Sequence, residues 1–203
     1  MSAAFDLPGS LEGLRSRSTL GGGADTDFRP EIGYSLIRER PGASGVSWLV
    51  GVGEFSVSDR PKDVLIAHSL GSCLGLSVYD PVLRLGGMAH CMLPLSKQNP
   101  MRASERPALY VDTGIQVLLE HLFGLGARKE NLVIKAAGCA AILHDNGMFR
   151  IGEKNYAVLR KVLWKNDLLV TSEETGGSAP RTVSLEIKTG RTFVQSGGQH
   201  REL

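Results

Sequence analysis

Two residue types within one short stretch can do covalent chemistry together. Between His68 and Pro94 the chain reads HSLGSCLGLSVYDPVLRLGGMAHCMLP, which contains a thiol, Cys73, and an imidazole, His90. Cysteine attacks as its thiolate, and a neighbouring histidine lowers the thiol pKa by forming an ion pair with it. The same histidine can then hand its proton to a departing amine or ammonia. Gly71 and Ser72 place small residues just ahead of the thiol, where a substrate backbone must come close. Their N–H groups, or that of Cys73, are suited to hold the oxyanion of a tetrahedral intermediate. A plainer reading stands beside this one: a lone cysteine is commonly an inert core residue, and a strand histidine a hydrogen-bonded structural one.

Whether the pair can meet depends on the elements that carry it. Leu74, Leu76 and Val78 alternate with Gly75, Ser77 and Tyr79, the period of a strand with one face in a core. Asp80-Pro81 supplies a turn, and Leu85 to Leu93 returns as a second strand. If Pro81 and Val82 are the two central turn residues, Cys73 lies opposite His90, Gly75 opposite Met88, and Ser77 opposite Gly86. Directly opposed side chains have Cβ atoms roughly 4.5–5.5 Å apart, near enough for thiol and imidazole to interact. A slip of one residue would move His90 to the other face, so the inference rests on turn length. Gly86 and Gly87 would let a polypeptide approach the second strand without obstruction. Thr175-Gly176-Gly177 reads as a tight turn, either a turn alone or one that shapes a cleft rim.

The remaining pattern predicts an α+β domain, because strands come in runs punctuated by two helices. Val50 to Val57 and Val64 to Ala67 read as strands. Val111, Ile115, Leu118, Leu119 and Leu122 have helical spacing, closed by Gly124 and Gly126. Strands follow at Leu132 to Ala137 and Leu168 to Thr171, with a helix from Glu153 to Asn166 between them. Val183 to Ile187 and Thr192 to Val194 form a hairpin. Residues 1–46, with Gly21-Gly22-Gly23, Pro30 and Pro41-Gly42, show no lasting apolar period and read as a flexible extension. Residues 47–198 form the domain and 199–203 a C-terminal tail.

Composition narrows the function classes. Of 203 residues 42% are hydrophobic and 22% charged, the balance of a globular chain. Lys and Arg number 23 against 21 Asp and Glu, a net charge of +2 that offers no surplus for a phosphate backbone, so no nucleic-acid partner is expected. No apolar stretch approaches the ~18 residues of a membrane helix, and Met1 to Ser18 lacks the order of a secretory signal. Cys73, Cys91 and Cys139 show no C-x-x-C spacing, so neither a disulfide framework nor a zinc site is expected, and a reduced cytoplasmic setting fits. Without an obvious self-complementary stripe, the expectation is a monomer.

An ordered series of blocks resembles the CheD family of chemoreceptor glutamine deamidases. They are Val52-Gly53-Glu54, LGSC ending at Cys73, Tyr79-Asp80-Pro81, GGMAHCMLP from Gly86, Tyr110-Val111-Asp112, KAAGCA from Lys135, IGEKN from Ile151, EETGG from Glu173, and Arg181. The resemblance implies a β-sheet sandwich flanked by helices, related to deamidating toxins. It also implies Cys73 as nucleophile, His90 as general base, no metal or organic cofactor, and chemoreceptor cytoplasmic domains as substrates. A CheC-type phosphatase is the implied regulatory partner. Two departures stand out. The family's third catalytic residue is a threonine at the position of Ala67, for which Ser69 is the nearest replacement. Cys139 stands where the family usually has glycine. Gly71, Ser72, Gly87, Thr175 and Gly176 are the expected substrate contacts. If Ala67 disables turnover, the alternative is a module that docks on receptors or on the phosphatase.

Overall fold

A computed structural model describes residues 47–141 and 150–203 in full, together with the backbone of two earlier strands. In chain order the strands are β1 (Thr26–Arg29), β2 (Tyr34–Ile37), β3 (Ser47–Leu49), β4 (Glu54–Ser58), β5 (Val64–Leu70) and β6 (Leu74–Asp80). They continue with β7 (Leu85–Cys91), β8 (Val133–Gly138), β9 (Ser172–Thr175), β10 (Arg181–Glu186), β11 (Thr192–Ser196) and β12 (Gln199–Glu202). The helices are α1 (Pro100–Glu105), α2 (Val111–Gly124) and α3 (Ile151–Lys165).

Two mixed sheets result, a seven-stranded one ordered β1-β2-β4-β7-β6-β8-β9 and a five-stranded one ordered β12-β11-β10-β5-β3. Every residue of β6 and β7 is buried, since the larger sheet is covered on both faces. On one face Leu74, Leu76 and Ala89 pack against Ile115 and Leu118 of α2 and Leu159 of α3. On the other, Tyr79, Met88 and Ala137 meet Leu65, Ala67 and Val183 of the smaller sheet. The expected α+β sandwich is therefore present, with its long helices against the outer face of the larger sheet.

The β6–β7 register differs from expectation by two residues. Gly75, not Cys73, lies opposite His90, and Asp80 pairs with Leu85. The connecting loop has four residues because the Asp80 carboxylate reaches forward to the N–H groups of Val82 (2.9 Å) and Leu83 (3.1 Å). Its other oxygen accepts from the Arg128 N–H at 3.1 Å, which ties the loop to the segment after α2. A shift of two preserves which side chains share a face, so the predicted apolar set still points at the helices.

Other expectations are corrected. Gly86 and Gly87 do not open a path for substrate. A Cβ on Gly86 would lie 2.6 Å from Ile187 Cδ1, and one on Gly87 2.7 Å from Leu118 Cδ1, so these glycines let the molecule's own layers close. The strand expected at Leu168 to Thr171 begins instead at Ser172, since Leu168 buries itself in the helix-side core. Residues 199–203, read as a tail, contain β12, which pairs with β11. The stretch read as a strandless extension contains β1 and β2, and β2 runs parallel to β4 with Tyr34 beside Phe55. Pairing at a sheet edge defines these strands without help from local periodicity. The other residues of that stretch, including the triple glycine and Pro41-Gly42, lie outside the described residues.

Layer closure at Gly87 is directly testable. Gly87→Ala is expected to lower unfolding free energy in urea by about 1–3 kcal/mol through overpacking. Gly124→Ala at the end of α2, where nothing lies within 4 Å of the added carbon, is expected to cost nothing measurable.

Candidate active site

His90 is positioned by β4 and the turn that precedes it. Glu54 pairs with His90 across β4 and β7, and the Gly53 N–H donates to the His90 carbonyl at 2.8 Å. The Glu54 carboxylate turns back to accept from the Gly51 N–H at 2.9 Å, closing a turn in which Gly53 adopts φ +74. Val50 is anchored from the other side by its N–H, which donates to Ile66 of β5 at 2.8 Å. The turn thus holds the Val50 carbonyl 3.2 Å from His90 Nδ1. A carbonyl can only accept, so Nδ1 carries the proton and Nε2 presents its lone pair. Nε2 is buried and has no hydrogen-bond partner among the described residues. Burial of the ring, 3% exposed, pulls its pKa below the ordinary 6.5, although the Val50 bond and the Glu54 charge oppose this. The resting imidazole is therefore a neutral base.

Cys73 sits where the chain passes from one sheet to the other. Leu70 ends β5, Leu74 begins β6, and only Gly71, Ser72 and Cys73 lie between. Three outward bonds hold this crossing. The Gly71 carbonyl accepts from the Ala140 N–H at 2.8 Å, the Cys73 carbonyl from the Cys139 N–H at 2.8 Å, and the Ser72 carbonyl from Asn155 Nδ2 at 2.9 Å. Glycine is required at 138, where φ is +97 and an added Cβ would meet the Cys73 carbonyl oxygen. Among the described residues no group accepts from the Ser72 or Cys73 N–H. The half-buried Cys73 packs against the inter-sheet cluster that includes Val50, the residue whose carbonyl holds His90.

Burial raises the Cys73 pKa above its ordinary value, in contrast to the thiolate expected from the sequence. A protonated thiol and a neutral imidazole do not make a standing ion pair, so any attack by this sulfur would need a base to take its proton. Cys91 and Cys139 are buried, and burial pushes the Cys139 thiol up to about 12, which keeps it protonated and unreactive.

The other predicted residues divide. Ser69 is exposed, with φ +55, in a β-bulge where His68 and Ser69 together oppose Thr182, and its hydroxyl makes no hydrogen bond to His90. Ala67 is fully buried in the same cluster as Val50. The group that orients the imidazole is instead the Val50 carbonyl, which no side-chain motif could reveal because every residue type carries one. Thr175 pairs with Gly138, and the Gly176 N–H donates to the Gly138 carbonyl at 2.9 Å, so the Thr175–Gly176 turn lies beside the strand end that braces Cys73. Arg181 fixes that turn, donating to Glu174 Oε1 (3.0 Å) and to the carbonyls of Gly176 (2.8 Å) and Ala179 (3.1 Å). Gly87 lies on the helix face, away from these residues. Sequence reasoning missed the role of Glu54, and read Asn155 as either a helix-end hydrogen-bonder or a substrate contact, whereas its amide donates to the Ser72 and Met92 carbonyls.

The structure thus places a half-buried thiol at the start of β6 and a buried imidazole on the neighbouring strand β7, where Gly75, two residues after Cys73, lies opposite His90. Residues 92–196 match the family model described as CheD chemotactic sensory transduction. The chain is 45% identical over 156 residues to the probable chemoreceptor glutamine deamidase CheD 1 of Syntrophus aciditrophicus, covering 76% of this chain and 98% of that one. It is 45% identical to a protein of the same description from Solibacter usitatus, over 76% of this chain and 92% of the other. The chemoreceptor glutamine deamidase CheD of Thermotoga maritima is 36% identical over 76% of this chain and 96% of its own length. The chain belongs to the CheD family. Among solved structures, the hypothetical protein YfiH of Bacillus licheniformis matches with a TM-score of 0.39 and 16% identity, over 60% of this chain and 49% of that one.

The protonation states have a readable consequence. A general base must be neutral, so activity is expected to fall with acidification through the His90 pKa. The acid limb of a kcat/KM profile should have its midpoint below the ordinary histidine value of about 6.5. Glu54→Gln removes the charge that supports the imidazolium and should move that midpoint to still lower pH.

Proposed function

We propose that the chain is a protein-glutamine deamidase that converts glutamine side chains of chemoreceptor cytoplasmic domains to glutamate through a thioester on Cys73. The observation that carries this reading is the His90 ring. It is held at Nδ1 by the Val50 carbonyl and leaves a buried, unpartnered Nε2 ready to accept a proton. The names of the relatives supply the substrate class.

In the first step Nε2 takes the thiol proton as Cys73 Sγ bonds to the amide carbon. The carbonyl electron pair moves onto oxygen, where the Ser72 and Cys73 N–H groups receive it. Collapse breaks the C–N bond, and ammonia leaves with the proton from Nε2. Water then adds to the thioester, giving its proton to Nε2. The thiol departs with that proton and a glutamate remains. Each step uses only thiol, imidazole, backbone donors and water. The product carries a negative charge where the substrate had none, which alters repulsion within a receptor bundle.

We further propose a cytoplasmic monomer that docks on a CheC-type phosphatase as its regulatory partner. Among the described residues no helix is long and apolar enough to cross a membrane.

Incubation with receptor cytoplasmic fragments, followed by peptide mass spectrometry, should show the conversion of NH2 to OH at particular glutamines. Cys73→Ala should abolish it. Absence of conversion by the parent protein would favour a docking module instead. Ala67→Thr is a second test, because Val50 already holds Nδ1. Restoring the family's hydroxyl is expected to change kcat by no more than about threefold, whereas a much larger gain would mean that Val50 orients the ring poorly.

A further inference from the structure

Asn155 is fully buried in the second turn of α3, and its amide nitrogen makes two bonds of unusual placement. It donates to the Ser72 carbonyl at 2.9 Å and to the Met92 carbonyl at 3.0 Å. One side chain thus joins the crossing that carries Cys73 to the segment two residues beyond His90. Both neighbours are acceptors, which dictates that the NH2 end faces them and leaves Oδ1 on the opposite side. Oδ1 is buried and has no partner among the described residues. A buried oxygen without a partner destabilises the fold, a cost set against the two bonds that the same side chain donates.

We propose that Asn155 is a positioning residue that aims the oxyanion donors, an inference that rests on the reading of Cys73 as nucleophile. Among the described residues no peptide bond is cis. Across a planar trans peptide the C=O of one residue and the N–H of the next point in opposite directions. Pulling the Ser72 carbonyl toward α3 therefore turns the Cys73 N–H away from it. The Gly71 carbonyl bond to Ala140 does the same for the Ser72 N–H. Neither of these N–H groups has an acceptor among the described residues. The helix approaches closely enough to make the clamp because residue 152 is glycine, where an added Cβ would strike the Cys139 carbonyl. The IGEKN block is thus read as a device: its glycine seats the helix and its asparagine sets the peptide plane.

Two reactions at the same sulfur separate aim from nucleophilicity. Acetylation by p-nitrophenyl acetate passes through a tetrahedral oxyanion, whereas alkylation by iodoacetamide does not. For Asn155→Ala the acetylation rate at Cys73 should fall by about tenfold or more, with alkylation within about twofold of the parent. Deamidation should lose kcat with KM little changed. Asn155→Ser, too short to bridge both carbonyls, should repeat the pattern if the alanine variant does not fold. Equal losses in both reactions, or none in either, would overturn the proposal. A parent protein acetylated no faster than Cys73→Ala would overturn the nucleophile reading, and the inference with it.

Discussion

Three residues carry the chain from one sheet to the other, and the site depends on how that crossing is held. Gly71, Ser72 and Cys73 form no regular structure, so their carbonyls must find partners elsewhere or lose hydrogen bonds on burial. The Cys139 and Ala140 N–H groups and the Asn155 amide provide them, all from the side of β8 and α3. With the carbonyls satisfied on that side, the peptide N–H groups at 72 and 73 are turned the other way. On the proposed reading, that sheet-to-sheet crossing is the donor pair for the oxyanion, set before substrate arrives.

The imidazole is governed by a parallel constraint on the opposite flank. The Gly51–Glu54 turn closes on its own carboxylate and hands the Val50 carbonyl to His90, which decides the tautomer without a dedicated hydroxyl. This gives physical content to the departure at Ala67. A third catalytic side chain has the task of fixing ring position and proton location, and a backbone carbonyl can do both. Burial raises the thiol pKa and lowers that of the ring, which favours the neutral form of both.

Much of this was legible in the residues. The alternation at Leu74, Leu76 and Val78 showed which faces of the two central strands are apolar, and face assignment survived an incorrect turn length because the error was two residues. Asp80 caused that error. Its carboxylate serves the loop and the Arg128 segment at once, and the second contact is invisible locally. Gly86 and Gly87 misled for a related reason, since a missing side chain reports close approach but not by what. The Val50 carbonyl had no compositional signal at all. Asn155 had one, its place in a block that resembles the family pattern, but the meaning of that place lies in a contact between residues far apart in sequence.

The central claim is that receptor glutamines pass through an acyl bond to Cys73. Acid-quenched, millisecond-scale reaction of the protein with a receptor cytoplasmic fragment, analysed by mass spectrometry of the Cys73 peptide, examines it directly. The account predicts a receptor-derived adduct on Cys73 that hydroxylamine releases and that decays as glutamate accumulates. Glutamate formation at full rate with Cys73 never modified would contradict it.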